Sequence, residues 1–181
     1  MKQKILYVMP ECYVDTNLIE YLLNASVNHQ HSCSKVVAQL NTTFSEKFAI
    51  GIIDKDKVEL GYVKECRTIA ESKHITLLKH QSKSQYLIMV APAIDGFIID
   101  CAKEQNVNMM NFGLPAALQD FIKISKNVTS NKDPRFKNLF AAIKDNVEIK
   151  TLKNTLKHLC QQQYHTDEEL IKRYFQTDNE V

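Results

Sequence analysis

The chain has 181 residues, 44% hydrophobic and 24% charged, with a formal net charge of +2. That composition allows one domain, or one with an appendage, and excludes a collagen-like, low-complexity or strongly polyanionic chain. Only 4 glycines, no G-x-G-x-x-G and no P-loop weigh against a dinucleotide or Walker-type nucleotide site.

The first half alternates between two patterns. An apolar run at 5–8 reads as a strand. It is followed by a helix over 16–28, with Leu18, Leu22 and Ala25 on one face and Asp15 or Thr16 as cap, and by a shorter helix over 34–40. The stretch FAIGIID predicts a strand over 48–53 that is apolar on both faces, as central parallel strands are. A helix over 61–72, strands at 75–78 and 86–90, and a helix over 94–104 complete a βα alternation.

After residue 105 the strand signals stop. Helices are predicted over 114–125, over 134–144 with Pro134 in its first turn, over 150–161 and over 166–176. Met109 and Met110 fall in the connection between the halves. The expected fold is therefore α/β: a small parallel-sheet, Rossmann-like core over 1–105, with an α-helical extension over 106–181. The leucines of the terminal helices make a homodimer through those helices an expectation. Residues 121–158 carry nine basic side chains against three acidic, a balance suited to a phosphate backbone or to solvated helix faces.

Five widely separated cysteines, with no C-x-x-C and no zinc spacing, read as reduced thiols of a cytoplasmic protein. The segment MKQKILYVMPE is too short in apolar residues for a secretion signal. No stretch reaches the roughly 18 apolar residues of a membrane span, so no membrane partner is expected.

The chemistry concentrates at strand ends. The first apolar run leads into Pro10 and Glu11, with Asp15 four residues on; the second ends in GIIDKDK. In an extended chain Asp54 and Asp56 point to the same side, and two adjacent carboxylates repel unless a cation lies between them. Hard oxygen donors of this kind select Mg²⁺ or Mn²⁺. Parallel strands end on one edge, where open α/β sheets hold their ligands, so Glu11 can join Asp54 and Asp56 there. Lys55 and Lys57, interleaved with the acids, and Arg135 are candidate phosphate contacts.

The order apolar strand, Glu11, Asp15 and Leu-rich helix in YVMPECYVDTNLIEYLL, followed some forty residues later by IGIIDKDK, resembles the TOPRIM domain over about residues 4–100. That family includes primases, topoisomerases, OLD-family nucleases and small 5S rRNA maturases. The resemblance implies divalent-metal-dependent phosphodiester chemistry on DNA or RNA. In it Asp54 and Asp56 hold the metal, Glu11 is a metal ligand or general acid/base, and Asp15 caps the helix or orders a base or water. It also draws in Glu59, near the place of a third family acid, and Asp95, in APAIDGFIID, which is similar to a P-x-x-E segment of small TOPRIM-like proteins. Where the family usually has glycine after the glutamate, this chain has Cys12, preceded by Pro10.

Two further readings stay open: a TOPRIM-like module that binds nucleic acid or protein without catalysis, and an unrelated α/β interaction domain. His29, His31 and Cys33 in NHQHSC read as a polar turn rather than a soft-metal site. His74 and His80 read as strand-end histidines. Tyr164 and Tyr174 read as helix-packing residues. Cys12 as a nucleophile requires a histidine partner that the sequence does not reveal.

Overall fold

The computed structural model describes residues 3–55 and 61–176. Two sheets form. Strands β1 (Lys4–Ile5) and β3 (Ser26–Val27) pair in parallel as a short ribbon. Five strands, β2 (Val8–Pro10), β4 (Ala49–Asp54), β7 (Gln85–Val90), β6 (Ile75–His80) and β5 (Cys66–Glu71), make the main sheet in that spatial order. The α/β expectation holds. The sheet, however, is mixed: β2, β4 and β7 run parallel, whereas β6 and β5 run antiparallel to their neighbours.

Chain length explains the difference. Only residues 81–84 join β6 to β7, and a parallel pairing needs a crossover of a dozen or more residues. The helix expected over 61–72 is one turn, α3 (Gly61–Lys64), after which the chain turns into β5. Cys-Arg-Thr-Ile-Ala-Glu buries only Ile69, a pattern suited to an edge strand bonded on one side. The apolar run expected at 5–8 is also split, because Leu6 and Tyr7 form a turn between β1 and β2.

All six residues of β4 are buried, and its alternate side chains feed two cores. On one face Ile53 and Met89 pack with Val36 and Leu40 of α2 (Cys33–Asn41) and with Tyr62. Gly51 faces this core, and a Cβ there would stand 2.8 Å from Val36 and 2.9 Å from Leu87, so glycine sets how closely α2 can approach. On the other face Ile50, Ile52 and Ile88 pack under α1 (Tyr13–Leu23) and α4 (Ile94–Glu104).

This second core continues without a break into α5 (Leu118–Ser125), α6 (Pro134–Ala142), α7 (Val147–Gln162) and α8 (Glu168–Gln176). Phe97, Phe121, Phe136 and Phe140 are fully buried, and the rings of Phe121 and Phe136 meet edge to face at 5.6 Å. Buried Asn17 in α1 donates to the carbonyls of Ser130 (2.7 Å) and Asp133 (3.3 Å), fixing the helical part to α1. Glu168 of α8 takes ion pairs from Arg67 and Lys79 of the sheet. Leu152, Leu156 and Leu159, the stripe that suggested a second copy, are fully buried within the chain's own core. Among the described residues no helix is long and apolar enough to cross a membrane.

Candidate functional site: an acidic carboxyl edge

Strands β2 and β4 are neighbours, with Pro10 opposite Ile52, so their C-terminal ends lie together. Glu11 follows the first and Asp54 closes the second. The Asp54 N–H donates to Glu11 Oε2 at 3.3 Å, joining two residues 43 apart in sequence. Asp54 Oδ1 in turn accepts the Ile94 N–H at 3.0 Å, in the first turn of α4. Asp95 follows on the same helix and is buried. Helix N-termini favour carboxylates in this position, because their first N–H groups have no partner within the helix.

Asp15 is 1% exposed. It accepts the Cys12 N–H at 3.1 Å and the Cys12 thiol at 2.7 Å, closing the first turn of α1. Burial raises its pKa to about 7, with Asp54 and Glu11 adding to the rise against the hydrogen bonds from Cys12. Asp15 thus holds its proton to near neutral pH, chiefly because it is buried and secondarily because Asp54 and Glu11 lie nearby. Burial, and then the Asp15 charge, push the Cys12 thiol far above its usual range. It stays protonated, which removes it as a nucleophile.

The sequence reading missed a rim of histidines. Residues 28–30 run beside β2, where the Asn28 N–H donates to Val8 O and the Gln30 N–H to Pro10 O. NHQHSC is thus an ordered segment that carries His29 to the acidic edge. His29 Nδ1 is 2.8 Å from Thr16 Oγ1, and its Nε2 is 2.9 Å from His31 Nδ1. Tyr13 stacks on the His29 ring. Burial and then His31 lower the His29 pKa, so the ring is neutral at neutral pH. Cys33 is buried in the core under α2.

The remaining sequence candidates disperse. Asp56, Lys57 and Glu59 lie outside the described residues. Lys55 is exposed and pairs with Glu71 at 2.7 Å. Arg135 is held by Asp133 (2.7 Å) and by Gly113 O (3.1 Å) at the start of α6. His74 Nδ1 lies 2.9 Å from Ala91 O, and His80 pairs with Glu65. The Tyr164 hydroxyl accepts the Phe48 N–H. Among the described residues, no group of three or more His, Cys, Asp or Glu side chains is arranged to hold a metal ion. The described part of the edge therefore supplies Glu11 and Asp54 as oxygen donors, and a complete cation shell from protein needs more than these. Family models, curated proteins and solved structures gave no match to the chain.

Proposed function

We propose that the carboxyl edge binds Mg²⁺ or Mn²⁺ and serves phosphodiester chemistry on nucleic acid, in the manner of a TOPRIM-like nuclease. The observation that carries this reading is the meeting of Glu11 and Asp54, distant in sequence, at the ends of adjacent parallel strands. Asp54 and Glu11, with Asp56 from the D-x-D, are the oxygen donors proposed for the cation. When bound, the cation supplies charge neutralisation at a phosphate oxygen. Glu11 is the proposed general acid/base. Protonated Asp15 keeps the net charge of the edge down and fixes the first turn of α1. Neutral His29 on the rim is a second base within the same neighbourhood.

The second reading is a TOPRIM-like module that binds nucleic acid or a protein partner without cleaving. Two observations favour it: Cys12 and Asp15 lock each other where the related motif has glycine, and the described acids do not by themselves form a metal-holding group.

The deciding assay incubates the full chain with labelled single- and double-stranded DNA and RNA, with and without Mn²⁺. Metal-dependent cleavage that drops by about 100-fold or more in Glu11→Gln and Asp54→Asn supports the first reading, since removing one group acting on the transition state costs on this order. Binding without cleavage selects the second. Neither binding nor cleavage overturns the first reading and the nucleic-acid form of the second.

A further inference from the structure

A second charged feature lies at the other end of α1. Its Tyr21, Leu22 and C-cap Asn24 form one wall of a cavity of about 320 Å³, closed by Lys137 of α6 and by Lys153 and Lys157 of α7. Lys157 also lines the next cavity, of about 290 Å³, together with Tyr7, Cys160 and Gln161. Among the described residues no carboxylate lines either one.

Four cations in the helical part have an anionic neighbour, Lys123 with Asp120, Arg135 with Asp133, Lys150 with Asp145 and Lys172 with Glu169, and Lys126, Lys132, Lys144 and Arg173 are scattered and unpaired among the described residues. Lys137, Lys153 and Lys157 make no ion pair or side-chain hydrogen bond with the described residues. Lys137 and Lys153 are half-buried and line the same cavity as Lys157. Three cations of α6 and α7 line one cavity, and that positive lining favours an anionic occupant.

We propose that this groove takes the phosphate backbone of a single-stranded nucleic acid, with Lys137, Lys153 and Lys157 on its phosphates and the rings of Tyr21 and Tyr7 beside its bases. Cations interleaved with aromatic rings along a groove are the usual platform for single strands, because every base offers a face to stack. The proposal rests on the nucleic-acid reading above but not on cleavage. The 11 residues of α1 rise about 16 Å between the acidic edge and the lysines, a reach of a few nucleotides.

The test is fluorescence anisotropy of a labelled single strand of about a dozen nucleotides, without divalent metal, on the full chain. The variant is Lys137→Gln/Lys153→Gln/Lys157→Gln. The control, Lys64→Gln/Lys126→Gln/Lys144→Gln, removes the same charge from exposed sites elsewhere. The expected result is at least about a tenfold loss in the variant near 0.1 M salt. Its salt dependence should become shallower by about 2 in log–log slope, with the control within about threefold of native.

Equal losses in variant and control overturn the proposal, as does absence of binding by the native chain. A duplex of equal length that binds as tightly also overturns it. Displacement of the strand by equimolar inorganic phosphate or a free nucleotide would overturn it in favour of a small phosphate ligand. Manganese binding retained by the lysine variant, and oligonucleotide binding retained by Asp54→Asn, keep the failure of this inference distinct from failure at the acidic edge.

Discussion

The two ends of α1 treat charge in opposite ways. At the N-terminal end Glu11, Asp15 and Asp54 are buried and receive backbone N–H groups, and burial, with Asp54 and Glu11 adding to it, raises the Asp15 pKa to about 7. At the C-terminal end three lysines surround an open cavity and bond to no described side chain. Desolvated charges couple strongly and are screened little by salt, whereas exposed ones act through a field that salt suppresses. The acidic edge is thus tied into the fold, and the lysine end is separable from it.

The most damaging way to break this contrast is to loosen the helix that links the ends. Leu18 in the middle of α1 is fully buried. Leu18→Ala is expected to cost about 3 kcal/mol by urea unfolding and to weaken manganese and oligonucleotide binding together.

Next comes Asp15. It takes its proton near pH 7 in the folded protein but in the ordinary carboxylate range when unfolded. Between those values the folded state holds more protons, so stability falls as pH rises through that window. From pH 5 to pH 8 the native chain should lose on the order of 2 kcal/mol. Asp15→Asn should remove most of that slope in denaturant titrations repeated across pH. A native profile flat over this range would mean that burial at this edge does not raise the Asp15 pKa.

Smallest is the effect of the lysines on the fold. Lys153→Gln should change stability by less than about 0.5 kcal/mol while still weakening oligonucleotide binding, as a solvent-facing ligand residue does. A larger loss of stability would place that lysine in the architecture and remove the contrast.

How much of this the sequence reveals follows from range. The continuous apolar run of β4 and the periodic face of α4, Ile94–Glu104, are local patterns and are read correctly. The convergence of Glu11 with Asp54 follows from one topological rule once two parallel neighbours are assumed. β5 was missed because its half-exposed edge pattern carries no clean period. The short 81–84 connection did forbid a parallel β6–β7 pair and was the signal to use. His29 reaches the edge only because residues 28–30 bond along β2, which no local pattern announces. The basic balance of 121–158 was visible, but which three lysines meet depends on how α6 and α7 pack on α1.

The central claim is that the acidic edge is a cation site, and calorimetric titration of Mn²⁺ into the native chain and into Asp54→Asn/Asp56→Asn tests it most directly, with and without a short oligonucleotide. The account predicts native binding that the double variant loses by at least about tenfold, the loss expected on removing ligand carboxylates. No native binding, even with the oligonucleotide present, would contradict it and leave Glu11 and Asp54 as carboxylates that only hold backbone N–H groups.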